Sequence, residues 1–239
     1  MQTWETDRIP EKWRAAKDSF DEYHDNWTYT LLTDKDRRHF IKKHFPLLLG
    51  IYDNFPYNIQ RADLIRYCWL YVNGGVYTDL KNVFIRSMND LFREYPDKAL
   101  LIGRSANTFG ASNYFLASIP HHPFWLACID DIARRNGHAP WWCIGRHLTV
   151  MYTTGPLLIN RTVKAMQLEG ALLPIEFQPC NICVKDCFKL KPQGAYIVPL
   201  EGQSWNDKDS IIYNWLYCNW KEFIVFVILG YMFLKSLNT

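Results

Sequence analysis

Between Arg61 and Asn73, apolar residues fall at Ala62, Ile65, Trp69 and Val72, with a second row at Leu64, Cys68 and Tyr71. This three-and-four spacing predicts a helix. Only Arg61, Asp63 and Arg66 interrupt it with charge, so it should be buried on most sides. Gly74-Gly75 should end it, because glycine accepts the left-handed backbone of a helix C-cap. Val76-Tyr77-Thr78 then reads as a strand. Asp79 falls at the carboxyl end of that strand, where open α/β sheets bind ligands. A carboxylate there suits a phosphate met through a metal ion.

The same patterning outlines the rest of the chain. Helices are expected from Trp13 to Tyr23 with Pro10 in the first turn, from an Asp34 cap through Lys43, from Phe124 to Arg134 and from Asn160 to Glu169. Strands are expected at Trp27–Leu32, Ala99–Gly103 and Tyr196–Pro199. Phe45 to Asn58, rich in proline and aromatics, reads as a loop. At 239 residues, with alternating helices and strands, the chain suits one α/β domain over residues 1–219. The terminal run Phe223–Leu234 carries no charge and forms a separate apolar helix within residues 220–239. It is shorter than a usual spanning helix. It reads either as a last buried helix or as a short membrane anchor or in-plane segment.

Composition narrows the function only slightly. Net charge is +3 and no basic run is interleaved with aromatics, which argues against nucleic-acid binding. There is no P-loop and no G-x-G-x-x-G. Met1 leads directly into charged sequence without a signal-peptide pattern. Aromatics reach 16%, mostly core by expectation, with some able to stack on sugars.

The segment RADLIRYCWLYVNGGVYTDLK resembles the DXD-motif glycosyltransferases of family 32, which include initiating α-1,6-mannosyltransferases and inositol phosphoceramide mannosyltransferases. The likeness runs through Arg61, Ala62, Asp63, Arg66, Tyr67, Leu70, Tyr71, Gly74, Gly75, Tyr77 and Asp79. Residues 2–13, Thr108–Ala117, His121–Trp125, Val150–Leu158 with its Thr-Gly-Pro turn, and Glu201–Asn206 resemble further family segments. The resemblance implies a GT-A-like fold, a mixed central sheet flanked by helices, and retaining transfer from a nucleotide sugar, GDP-mannose by the family's centre of gravity. It implies Asp79 and Asp63 as catalytic residues. Donor contacts would come from Trp4, Arg61, Asp63, Arg66, Tyr67, Gly75, Tyr77, Lys81, Ser204 and Trp205. A divalent cation, commonly manganese, would be held by Asp79 with Glu201 and Asn206. The acceptor would be a lipid such as inositol phosphoceramide or a glycan, and the setting an endomembrane, Golgi or ER.

One position departs from the family pattern. The second aspartate of the DXD is Lys81. Its ammonium either supplies part of the cation's charge at the diphosphate, or marks a non-catalytic relative acting as a membrane-associated binding or scaffold subunit. Asp63 likewise has two readings, a sugar ligand or a helix salt bridge to Arg66. His121 and His122 read as structural, and Asp34 and Asp36 as caps. Cys180, Cys183 and Cys187 leave zinc, one local disulfide or free thiols open. Asn26 and Asn160 head glycosylation sequons, a pattern frequent by chance.

Overall fold

A computed structural model of the chain describes residues 1–106, 110–181, 183–184, 194–202, 207–224, 228 and 235. Three small sheets are layered with helices. A short parallel pair joins β1 (Gln2–Thr3) to β2 (Leu31–Leu32). An antiparallel sheet runs in the order β3 (Gly75–Thr78), β6 (Ala111–Ser118), β5 (Leu100–Arg104). A third, antiparallel pair joins β4 (Asn82–Phe84) to β7 (Ile197–Pro199). Parallel and antiparallel pairs therefore coexist, as expected for a mixed α/β fold.

The helices are α1 (Arg14–Tyr23), α2 (Asp34–His44), α3 (Leu49–Asn54), α4 (Asn58–Asn73), α5 (Met88–Glu94), α6 (Pro123–Arg134), α7 (Gly145–Thr153), α8 (Pro156–Ala165) and α9 (Lys208–Cys218). The central helix is α4. Leu64, Ile65, Tyr67, Cys68 and Leu70 on it are fully buried. It packs against α6, where Tyr67 stacks on Trp125 with ring centroids 5.9 Å apart. Each such side chain contributes about 1.5–3 kcal/mol on removal from water, so the helix needs no polar face to be stable. Gly74 ends it at φ +64°, and a Cβ there would lie 2.6 Å from the backbone nitrogen of Pro120. Conformation and space both demand glycine. A second core, on Phe84, Met88, Leu101, Phe115 and Phe177, fills the other side of the sheet.

Several local expectations need correction. Phe45–Asn58 is not a loop; it folds into a 3-10 turn at Pro46–Leu48 followed by α3. Pro46 suits a first helical turn, and Leu48 and Tyr52 are buried. The cap of α2 is Thr33, not Asp34: Thr33 and Asp36 form a reciprocal capping box. The expected strand at 27–32 shrinks to Leu31–Leu32, because the two residues of β1 are all it pairs with. Cys183 is bonded to Cys218 on α9 rather than to a close neighbour, and Cys180 is also disulfide-bonded. Cys187 lies outside the described residues, as does most of the run 223–234. No helix among the described residues is long and apolar enough to cross a membrane.

Candidate active site

The fold brings β1, the start of α4, the end of β3 and the α7–α8 turn to one cleft of about 200 Å³. Its lining includes Trp4, Asp63, Arg66, Tyr77, Asp79 and Lys81, six of the residues expected at the site. Asp63 arrives from α4 and Asp79 from the residue after β3. Backbone bonds fix the latter: the Asp79 amide donates to the Tyr114 carbonyl at 3.0 Å, and the Gln2 side-chain amide donates to the Asp79 carbonyl at 3.2 Å.

Arg66 joins the two carboxylates. One Nη lies 2.8 Å from Asp63 Oδ1; the other lies 3.6 Å from Asp79 Oδ1 and donates to the Asn113 carbonyl at 2.9 Å. Its Nε donates to the Ala62 carbonyl at 3.1 Å, and its guanidinium sits 4.2 Å from the centroid of the Tyr77 ring. Burial alone would lower its pKa. Tyr77, Asp63 and Asp79 oppose this and hold it above the ordinary range. Arg66 is therefore a buried strut between the acids, with every nitrogen engaged.

Asp63 is 2% exposed. Oδ1 takes Arg66 and the Asn113 side-chain amide at 3.1 Å, and Oδ2 takes the Thr154 hydroxyl at 2.9 Å. A carboxylate offers about four lone-pair sites, which leaves one on Oδ2 for a ligand hydroxyl. Burial pushes its pKa up to about 6, against Arg66 and the two neutral donors. Asp63 is thus paired to Arg66 and also lines the cleft. Asp79 is more open, its side chain 32% exposed, with Oδ1 accepting from the Tyr77 hydroxyl at 2.8 Å. Oδ2 takes no hydrogen bond among the described residues, which leaves it to the cleft. Burial lowers the Lys81 pKa, and Asp79 opposes the shift. The amide of Leu200 donates to the Lys81 carbonyl at 2.8 Å, which anchors this turn to the end of β7. Trp4 meets Trp13 edge to face at 5.0 Å on the opposite rim.

Other expected residues lie elsewhere. Arg61 turns away and donates to the carbonyls of Tyr52, Asp53 and Phe55, closing the end of α3. Tyr67 is buried behind Asp63, its hydroxyl donating to the Thr154 carbonyl. Gly75 opens onto a separate aromatic hollow beside Trp27, Tyr29 and Trp69. Glu201 is exposed, and its carbonyl, not its carboxylate, receives the Trp13 indole at 3.2 Å. Ser204, Trp205 and Asn206 lie outside the described residues. His122 caps α6 by accepting from the Phe124 amide.

Sequence reasoning missed the roles of Asn113 and Thr154, which orient Asp63, and the presence of Arg37 and Arg146 in the lining. The Thr154-Gly155-Pro156 turn was visible, but not its side-chain bond to Asp63. A Cβ on Gly155 would stand 2.9 Å from the Val150 carbonyl, so the turn is tight enough to bring Thr154 against α4.

Metal fit can be judged from the donors. Among the described residues no group of three His, Cys, Asp or Glu side chains could hold an ion. Asp79 offers one free carboxylate oxygen beside an ammonium, while Asp63 is largely committed. Divalent cations need several oxygen ligands but can draw some of them from substrate phosphates; among the described residues this chain would contribute Asp79.

Comparison with known proteins places the sequence among glycosyltransferases. Residues 10–97 match the model of the glycosyltransferase sugar-binding region containing the DXD motif. Inositol phosphoceramide mannosyltransferase 2 of Schizosaccharomyces pombe is 32% identical over 99% of this chain and 67% of its own length. Inositol phosphoceramide mannosyltransferase 3 of the same yeast is 34% identical over 96% of this chain and 63% of its own. The chain thus spans about two thirds of the length of these relatives. The solved PaToxG glycosyltransferase aligns with a TM-score of 0.49 at 13% identity, over 69% of this chain and 67% of that one. With a cleft built on Asp63 and Asp79 and a likeness running nearly end to end, the chain belongs to the DXD-motif glycosyltransferase family that includes the inositol phosphoceramide mannosyltransferases.

Proposed function

We propose that the chain is a GT-A-type retaining transferase that moves mannose from GDP-mannose to an inositol phosphoceramide-like lipid. The observation that carries this reading is the pair of carboxylates, Asp63 and Asp79, held by one buried arginine at the same cleft. The lone pair left on Asp63 suits a hydroxyl of the transferred sugar. Asp79 is the more exposed of the two acids, and its Oδ2, without a hydrogen bond among the described residues, suits the reacting end of the donor. Trp4, braced by Trp13, offers a face for the base.

Departure of a nucleoside diphosphate builds negative charge that the site must stabilise. In this reading Lys81 does so, as a cation in the same cleft as Asp79, where the family motif carries a second acid. Its partly buried ammonium acts in a medium less screening than water, where a fixed charge is worth more. Residues 1–219 form the transferase unit, and residues 220–239 associate with a membrane of the endomembrane system. Exposed Ile211, Trp215, Trp220 and Phe223 on and after α9 support that association.

Turnover of GDP-mannose, with and without lipid acceptor and with EDTA or manganese, tests the proposal. Transfer that survives EDTA is expected, and Lys81→Asp should become manganese-dependent. Failure of the purified chain to bind any sugar nucleotide would overturn it and favour a non-catalytic subunit, the reading that Lys81 also allows.

A pH dependence follows from Asp63. A carboxyl shifted up to about 6 loses its acceptor oxygen below that pH. The acid limb of kcat/KM should therefore lie near pH 6, about two units above an ordinary carboxylate, and fall about tenfold per unit below it. Stability has the opposite sign. The folded chain binds this proton more tightly than the unfolded chain, whose value is 3.8. The contribution of Asp63 to unfolding free energy thus declines as pH rises from 3.8 to about 6 and is level above. Urea midpoints across that range, compared with Asp63→Asn, measure it.

A further inference from the structure

We infer that Arg37, Arg146 and the first turn of α4 form a phosphate-binding subsite in this cleft, beside the Asp63–Arg66–Asp79 cluster. The inference rests on the glycosyl-transfer reading for its substrates, but its evidence is separate.

Arg37 comes from α2, and its side chain is only 3% exposed. It is ion-paired with Asp34 through one terminal nitrogen, yet its buried Nε has no hydrogen-bond partner. The Nε of Arg146 is also buried and unpartnered. Both arginines line the cleft. An unsatisfied buried donor costs about 1–3 kcal/mol, and proteins rarely leave two in one place without a reason. Arg66, in the same cleft, shows the contrast, since each of its nitrogens has an acceptor.

The two arginines flank one helix terminus. The Arg146 guanidinium lies 5.5 Å from the ring centroid of Tyr57, the cap residue of α4. Arg37 reaches the same point through Asp34, whose second oxygen accepts from the Asn58 side chain at 3.2 Å. Asn58 and Ile59, the first residues of this 16-residue helix, also line the cleft. First-turn amides have no partner within their helix and carry the positive end of its dipole. Guanidinium nitrogens and helix N-termini both favour phosphate oxygens. Burial lowers the Arg37 pKa, an effect that a bound anion would relieve. Glu5, Asp63 and Asp79 are the acids in the same lining, the last two offset by Arg66.

The ligand is thus a phosphate group, either the donor's diphosphate or a phosphodiester in the acceptor's headgroup. The test uses the whole chain with Arg37→Gln and Arg146→Gln. Arg146 is only partly buried, so its variant remains informative if Arg37→Gln fails to fold. Thermal unfolding with inorganic pyrophosphate and with myo-inositol 1-phosphate reads binding directly, and KM is measured separately for donor and acceptor. Wild type should be protected by at least one probe and Arg146→Gln should lose that protection, with KM for one phosphorylated substrate rising about tenfold. A rise confined to the donor assigns the subsite to the diphosphate; one confined to the acceptor assigns it to the phosphodiester. Retained protection with both KM values within twofold of wild type would overturn the inference. Wild type that turns over no sugar nucleotide sinks the transferase reading instead, and the protection assay still decides the subsite.

Discussion

Asp79→Asn is expected to lower kcat for sugar transfer by at least about a hundredfold, the scale of losing one charged group aimed at a reacting centre. The fold should stand almost unchanged. The Asp79 side chain is one-third exposed, and an asparagine oxygen still accepts from the Tyr77 hydroxyl. Its contact to Arg66 is the longer of the two, 3.6 Å against 2.8 Å for Asp63, so the strut keeps its main partner. Steady-state kinetics and a thermal melt on the same preparation separate the two effects. Near-normal transfer in a folded Asp79→Asn protein would remove Asp79 from the chemistry. A large drop in melting temperature would instead make it structural.

Arg66→Met should act through stability first. It leaves Asp63 buried at 2% exposure without its cation and removes donors from the carbonyls of Ala62 and Asn113. It also strips the cation from the Tyr77 ring. Breaking one side of a buried pair costs about 3–5 kcal/mol, a large fraction of the stability of an ordinary domain. The companion Asp63→Leu should cost a comparable amount, for the mirror-image reason. Replacing both residues removes the uncompensated charges together, and the double variant should recover most of the loss. Urea unfolding of the four proteins gives the coupling directly. Additive losses would show that the pair is not the unit described here. Recovery of stability without recovery of transfer would mean that the pair is retained for function rather than for the fold.

Much of this was open to reading in one dimension because it depends on local spacing. The rows Ala62-Ile65-Trp69 and Leu64-Cys68-Tyr71 announce α4, and Gly74-Gly75 announces its end. Asp79 follows from its place after a strand. The direction of Arg61 is not legible in this way, because nothing in a helical repeat says which way its charged residues turn. Carbonyls left open at the end of α3 draw it away from the cleft. The segment 45–58 reads as a loop yet folds into helical turns, because proline marks the first turn of a helix as readily as a break.

The amino-acid order alone determined the central helix, the glycine bend, the strand behind Asp79 and the family motif, since each is set by neighbours within a turn or two. Tertiary structure decided which acids share a cleft, because Asn113 and Thr154 meet Asp63 across 50 and 91 residues of chain. It also decided that Arg66 is a strut rather than a free cation, and that Arg37 and Arg146 flank the start of α4. Burial and the partners of each nitrogen arise only when distant segments pack, and no local pattern encodes them.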